Sequence, residues 1–552
     1  MIKGYFKSAI KKTNYLLLFI VFVISYFFIY GFYGYSDGDD GYVLAFSWRV
    51  FQGEIPYRDF ISVRPPLTFL FHALPLYIIP DNYQIIFERF LFYVLMALSS
   101  LFCSLSLTNV FKQNFHINPY LMATVGFVFS VHNFLPMPWY TVDGIFFASL
   151  GIFLLVRFSS LYSIVFGMLF LFFSALCKQP FYLMPFAGIA FIILVYRDWK
   201  KTIVAIFCLI ILMCIFLYIL YYLKALKGFL SLTTGSTKLN DLLAAGVFSY
   251  LRVYSLYIII TIGFWIIAQR LSDMKKFSRI TELVPYFFIS FLLFYPLAHF
   301  GYSVLYKGIV YDPVHSFGYE GILASFLFIL SVFLFILKFK IEKSWISLFF
   351  LTLLSWCSSI SWGIQSPVLF STPLLFSFFL ISNKYFNIKN ITQLVKYTLS
   401  IGTFTYYVAY QKPSCNPIRR DLVYEISDIF PKLNHIKVGK DIYNKYHEFK
   451  SLTNKYGSNF KTLPGMPLSN YLTNTKSPIS LDWVSNGETN NHNEDVLKTL
   501  VQQNVVVFVE KKPQLITVLN TKDRFNSSVT YHIKSNWIKI DSTQYFEIYK
   551  NK

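Results

Sequence analysis

The chain has 552 residues, 55% of them hydrophobic, with 62 Phe and 41 Tyr, and carries a formal net charge of +21. Apolar runs recurring from Tyr15 to about Tyr410 exclude a soluble fold and predict a polytopic α-helical membrane protein. The positive charge does not point to nucleic acid, because in the apolar part the basic residues punctuate alternate loops.

Lys3, Lys7, Lys11 and Lys12 precede the first apolar run, which the positive-inside rule places in the cytoplasm. That run is long, and no small-residue cleavage site follows it, so it reads as an uncleaved anchor. Basic residues return at Lys112, Arg157, Arg197/Lys200/Lys201, Arg270/Lys275/Lys276/Arg279, Lys338/Lys340/Lys343 and Lys384/Lys389. Taken as cytoplasmic turns, they predict spans near 15–34, 85–108, 119–135, 144–160, 161–177, 180–196, 202–222, 251–268, 282–303, 319–337, 344–361, 367–382 and 391–410. About thirteen spans put the polar C-terminal part on the outer side of the membrane.

The first outer loop, residues 35–84, opens on the acidic cluster Asp37-Gly38-Asp39-Asp40-Gly41-Tyr42. Carboxylates at a membrane face are costly unless they have a function. Asp39 and Asp40 can accept protons, hold a divalent cation or grip sugar hydroxyls, and acidic turn residues in a solvated loop fit equally well. The loop continues through Trp48-Arg49, Gly53, Pro56-Tyr57-Arg58-Asp59-Phe60 and Arg64-Pro65-Pro66-Leu67. Pro66–Ile79 is apolar but short and proline-bounded, which predicts a juxtamembrane or re-entrant helix. Arg58 and Arg64 suit phosphate by bidentate bonding or, equally, lipid headgroups. Glu88-Arg89, at the start of the next span, reads most simply as an internal ion pair.

Further along, Asp143 in Tyr140-Thr141-Val142-Asp143-Gly144 lies at the next outer mouth, where it is either a site carboxylate or a helix N-cap shared with Thr141. Lys178, in Cys177-Lys178-Gln179-Pro180, falls on the side that the positive-inside rule disfavours. A phosphate contact and a snorkelling side chain both account for it. The loop from Lys224 to Tyr250 predicts a second interfacial helix. Beyond Tyr410 the composition turns polar, and residues 411–552 suffice for one small domain. There Ile442, Tyr443, Tyr446, Phe449, Leu452 and Tyr456 recur at helical spacing, and Val505–Val509 reads as a buried strand, which together predict an α/β domain. The six cysteines define no disulfide framework or metal spacing. No phosphate-binding loop or Walker lysine is present, which argues against an ATP-driven machine.

Set in order, Asp39-Asp40-Gly41-Tyr42, Trp48-Arg49, Gly53, Pro56-Tyr57-Arg58-Asp59-Phe60 and Arg64-Pro65-Pro66-Leu67 resemble the first outer loop of bacterial integral-membrane glycosyltransferases of the GT-C class. The closest likeness is to the group of protein O-mannosyltransferase-like enzymes and the lipid A aminoarabinose transferase. In that group an Asp-Glu or Asp-Asp pair follows the first span, and a Lys/Arg-Pro-Pro triplet closes the loop. Asp143 is similar to the family's second outer-loop aspartate, Lys178-Gln179 to a recurring Lys-Gln, and Asp482-Trp483 to a segment of the outer C-terminal domain. The sequence departs from the family in having Asp40 where Glu is commoner, and in the extra Asp37.

The resemblance implies a transmembrane catalytic part over 1–410 and an extracytoplasmic domain over 411–552, in a bacterial cytoplasmic membrane. It implies inverting transfer of a sugar from a polyprenyl-phosphate donor to an envelope acceptor, which is a glycolipid, a surface polymer or a protein. Asp39 would be the base, with Asp40 and Asp143 orienting the acceptor or a divalent metal ion, and Arg58, Arg64 and Lys178 would meet the donor phosphate. Rival readings are a flippase or exporter of lipid-linked sugars, and a non-catalytic polysaccharide-assembly protein. A flippase would need polar residues through the midplane, where the predicted spans are almost uncharged.

Overall fold

The computed structural model describes residues 2–36, 38–112, 115–131, 136–233, 263, 327–360, 370–385, 390–409, 417–490, 492–512 and 527–552; of residues 2–12, 39, 40, 384, 385, 408 and 409 it describes the backbone. Apart from Gly263, the predicted spans at 251–268 and 282–303 lie outside the described residues, as do part of 319–337, Asp37 and the loop after Thr233.

Helices dominate the described part up to residue 409. Six are long and apolar enough to cross a membrane, over Thr13–Tyr30, Asp81–Val110, Tyr140–Arg157, Gln179–Tyr196, Trp199–Tyr222 and Lys343–Ile360. Shorter apolar helices occupy Leu67–Ile78, Pro119–Ser130, Leu161–Ala175, Leu327–Lys338 and Thr372–Asn383. Several segments read from sequence as full spans are therefore stubbier. The run predicted at 119–135 is a helix of 12 residues, started by Asn118, whose side chain accepts from the backbone N–H groups of Tyr120 and Leu121. The segment at 180–196 is composite, with a 3-10 turn over Gln179–Tyr182, a helix over Leu183–Phe191 and a π turn over Ile192–Tyr196.

The first helix, α1 (Ile2–Tyr30), buries Phe19, Val23, Tyr26 and Tyr30 on one face and exposes Leu17, Ile20, Val21, Ile24 and Phe28 on the other. In the 24-residue helix Trp199–Tyr222 only Thr202, Ala205 and Leu220 are buried, and the remaining surface is almost wholly aliphatic and aromatic. An exposed apolar surface of that extent suits hydrocarbon, with every backbone group satisfied inside the helix. Between helices the packing relies on small residues and hydroxyls. A Cβ on Gly151 would sit 2.8 Å from the Gly167 carbonyl, and Thr372 Oγ1 donates to Ser100 Oγ at 3.0 Å.

Three elements shape one end of this bundle. Helix α2 (Asp39–Phe51) is buried along nearly its whole length and stops at Gln52, where Gly53 takes a left-handed turn (φ +85) open to glycine. Helix α3 (Leu67–Ile78) is the short helix expected after Pro65-Pro66. The helix starting at Tyr140, α6 in chain order after α4 (Gln84–Val110) and α5 (Pro119–Ser130), carries Asp143 in its first turn.

In the C-terminal part β1 (Tyr424–Glu425) and β2 (Lys437–Val438) form a separate antiparallel pair, and four further strands, β3 to β6, form a sheet of order β3-β4-β6-β5. β3 (Phe460–Leu463) and β4 (Val506–Glu510) run parallel, whereas β6 (Phe546–Lys550) is antiparallel to both β4 and β5 (Ile538–Ser542). The helix Lys440–Tyr456, predicted from its spacing, lays Phe449 against the rings of Phe460, Phe508 and Phe546. This part is docked on the bundle. The chain leaving α1 bonds through Phe32 and Gly34 to Lys437, and Ile61 N–H donates to the Ser480 carbonyl at 2.7 Å. Gly41 completes the fit, since a Cβ there would run into the side chain of Leu468.

Candidate functional site

The site is built where the loop 52–66, the starts of α3, α4 and α6, the corner at 176–182 and the C-terminal segment 479–490 converge. Backbone bonds fix the corner, with Leu67 N–H donating to the Leu176 carbonyl at 2.9 Å and Gln179 Nε2 to the Val63 carbonyl at 2.6 Å. These ties bring Lys178 next to Arg64. Gly144 makes the corner possible from the other side, because a Cβ there would collide with the Phe181 ring.

Arg64 holds the centre. Its Nη2 lies 2.9 Å from Glu488 Oε1 and its Nη1 lies 3.0 Å from Glu488 Oε2, and the Tyr42 hydroxyl donates to Glu488 Oε2 while accepting from Arg64 Nη1. The guanidinium carbon stands 4.7 Å from the Tyr42 ring centroid and 5.3 Å from that of Tyr140. Burial opposes the charge on Arg64, and Glu488 together with the Tyr42 and Tyr140 hydroxyls more than offsets it. Lys178 is buried and donates to Thr141 Oγ1 at 3.0 Å. Burial first and Arg64 second hold its ammonium well below the ordinary lysine range, with Glu488 acting the other way. Among the described residues the buried Tyr140 hydroxyl has no hydrogen-bond partner.

Beside this cationic corner runs a chain of three fully buried groups. His72, on α3, places Nδ1 2.5 Å from Glu88 Oε2 and Nε2 3.2 Å and 3.3 Å from the two Asp143 oxygens. Burial disfavours the charged ring, but Glu88 and then Asp143 override it and push His72 up to about 10, so the imidazolium donates to both carboxylates.

The expectations for individual residues resolve unevenly. Arg64, Lys178 and Asp143 come together at one end of the helices. Arg58 does not join them: it points outward and pairs with its neighbour Asp59 through Nε and Nη2, both at 2.8 Å. Asp39 and Asp40 begin α2, and their side chains lie outside the described residues. Asp143 is not the N-cap of its helix. That position is Trp139, which makes no side-chain cap bond, and the Asp143 carboxylate is turned to His72 instead. Glu88 and Arg89 do not pair with each other either, since adjacent helical residues diverge by about 100°. Glu88 meets His72, whereas Arg89 donates to the Gly31 carbonyl at 3.0 Å and the Gly34 carbonyl at 2.7 Å just beyond α1.

Sequence reasoning passed over His72, Tyr42, Tyr140 and Glu488. A lone histidine in an apolar helix carries no local signal, and Glu488 lies 424 positions from Arg64. As to the divalent ion that the resemblance allows, both Asp143 oxygens already face His72 Nε2, and among the described residues no group of three His, Cys, Asp or Glu side chains is arranged to hold a metal ion.

A second ionic cluster supports the site from behind. Arg49 on α2 meets Asp482 (Nε to Oδ2, 2.5 Å) and Glu54 (Nη1 to Oε2, 2.8 Å), and Lys461 Nζ reaches Asp482 Oδ1 at 2.9 Å. The adjacent Trp483 packs edge-on against Tyr42, with centroids 5.1 Å apart. The position of Tyr42 is thus set by the C-terminal part.

Among the described residues, Arg157, Lys201 and Lys343 of the basic turns lie at the opposite end of the helices. Arg157 donates to Asn109 Oδ1 at 2.9 Å there, and Lys201 and Lys343 stand over the Tyr196 ring at 4.9 Å and 5.9 Å. Comparison with protein-family models and with curated proteins yields no match.

Proposed function

We propose that the chain is an integral-membrane glycosyltransferase of GT-C type that moves a sugar from a polyprenyl-phosphate donor to an envelope acceptor at the outer face of a bacterial cytoplasmic membrane. The observation that carries this reading is the meeting of Arg64 and Lys178, from separate segments, beside the buried Asp143 carboxylate at the helix end away from the basic turns. By the positive-inside rule the basic end is cytoplasmic, which leaves the site and the C-terminal part outside.

The chemistry divides between these groups. A polyprenyl phosphate carries its charge at the headgroup level while its tail lies along apolar helix surface of the kind exposed at 199–222. As the acceptor oxygen or nitrogen bonds to the anomeric carbon, the bond from that carbon to the phosphate oxygen breaks, and negative charge grows on the phosphate. Arg64, fixed in direction by two aromatic rings, and Lys178 are suited to stabilise that charge. An approaching anion also raises the proton affinity of Lys178, so its ammonium is fully formed when the charge appears. The acceptor proton passes to a carboxylate, for which Asp39 at the start of α2 is the candidate base and Asp143 the orienting partner.

The test is transfer by the purified protein from a polyprenyl-phosphate sugar, guided by mass spectrometry of envelope glycans with and without the gene to name sugar and acceptor. Asp39→Asn should slow transfer by roughly 100-fold or more in a protein that still folds. Full activity in that variant would remove Asp39 as base, and an unchanged glycan profile in the deletion strain would remove the transferase reading.

A further inference from the structure

The carboxylate of Glu488 sits where an arginine holds an oxyanion. It receives both outer nitrogens of Arg64 at 2.9 Å and 3.0 Å, from a guanidinium set against the Tyr42 and Tyr140 rings, and the Tyr42 hydroxyl, with the buried Lys178 near enough to feel it. Two parallel N–H bonds and a hydroxyl are what a phosphate group takes from such a site. Glu488 comes from a four-residue helix, Asn486–Thr489, so the occupant belongs to the C-terminal part and not to the helices that carry the cations.

We propose that Glu488 is an internal competitor for the phosphate at Arg64, displaced when a polyprenyl phosphate binds and returning when it leaves. The inference rests on the reading of Arg64 and Lys178 as the phosphate site. Its logic comes from the charge change in the reaction. The donor is a phosphodiester with one negative charge, whereas the leaving polyprenyl phosphate is a monoester carrying about −1.5 to −2 at neutral pH. A site with two cations therefore holds its product more tightly than its donor. A carboxylate poised to re-enter offsets that retention and empties the site for the next donor. The step moves no covalent bond; it exchanges one anion for another on the same guanidinium.

The experiment measures binding of a short-chain polyprenyl monophosphate, in detergent micelles, to the full-length protein, with the matching polyprenol as an uncharged control. Glu488→Gln keeps the size of the side chain and loses its charge, and should bind the monophosphate about tenfold more tightly than the wild type, while Arg64→Gln should bind it at least tenfold more weakly. In the wild type, hydrogen exchange at 485–490 should rise when the monophosphate is added, a readout that needs no variant to fold. Loss of binding in Arg64→Gln together with unchanged or weaker binding in Glu488→Gln, or unchanged exchange at 485–490, overturns the competitor and leaves the phosphate site standing. Wild-type binding in Arg64→Gln overturns the phosphate site itself.

Discussion

Arg49 and Asp482 are 433 residues apart in the chain and meet in a buried two-point pair, with Nε to Oδ2 at 2.5 Å and Nη2 to Oδ1 at 3.1 Å. The pair joins α2 to the C-terminal part, and Lys461 and Glu54 complete it, so each buried charge has an opposite neighbour. Asp482→Asn would leave two buried cations sharing Glu54, and should destabilise the protein by ~3–5 kcal/mol, read as a lower melting temperature in detergent and faster proteolysis of the C-terminal part. Burial favours the protonated acid, yet Arg49 and Lys461 draw Asp482 down to about 2 from an ordinary 3.8. A depressed carboxylate contributes stability above its unfolded value, which is lost as the pH falls through its folded one. The wild type should therefore lose this contribution between about pH 4 and 2, and Asp482→Asn should show no such step. A variant as stable as the wild type at neutral pH would contradict the docking role.

Gly144 meets Phe181 so closely that a methyl group has no room. Gly144→Ala should cost ~1–3 kcal/mol by overpacking, although alanine favours the helix itself. Because Phe181 follows Lys178 and Gln179, the displaced ring should also shift Lys178, and polyprenyl-phosphate binding should weaken with stability. Gly144→Ala with unchanged melting temperature and binding would show that the corner yields without consequence.

Periodicity made the scaffold legible. The helix Lys440–Tyr456, the strand Val506–Glu510 and the short helix after Pro65-Pro66 form where spacing and proline placement predict them. Residue type made part of the site legible, because Arg64, Lys178 and Asp143 are charged where charge is expensive. Partners were not legible. Adjacency suggested Glu88 with Arg89, whereas helical geometry sends one to His72 and the other to carbonyls past α1. Asp143 stands in the first turn like a cap, and only the tertiary position of His72 turns it away. Glu488 and Asp482 sit in polar sequence with no local signal, and their roles come from docking across the whole chain.

Arg58 and Arg64 separate two uses of arginine within seven residues. Arg58 is paired with Asp59 at the surface, where such a pair contributes little, so Arg58→Ala should leave donor use and melting temperature unchanged. Arg64→Ala removes the central cation and should lower kcat/KM for a polyprenyl-phosphate sugar roughly 10- to 100-fold. Kinetics of both variants against donor concentration decide the point: an equal loss in the two would mean that Arg58 reaches the donor after all, and no loss in Arg64→Ala would return it to a structural pair with Glu488.

The Asp143–His72–Glu88 chain yields the sharpest contrast between capping and site chemistry. Asparagine caps a helix about as well as aspartate, so a cap would tolerate Asp143→Asn. Here the carboxylate faces an imidazolium flanked by a second carboxylate, and the amide removes one of the two charges that hold the ring protonated. His72, raised to about 10 from 6.5, contributes stability that is fully present below its unfolded value and lost as the pH rises towards its folded one. The wild type should thus lose this contribution between about pH 6.5 and 10. With Glu88 alone as partner, the loss in Asp143→Asn should begin at the same pH, be smaller and end at lower pH. Transfer should also fall, by roughly 100-fold if the carboxylate orients the acceptor in the reaction proposed above. Melting temperature against pH tests the ion chain without any substrate, and transfer kinetics test the site. A wild-type pH profile in Asp143→Asn would refute the chain, whereas a shifted profile with full transfer would make it a structural device only.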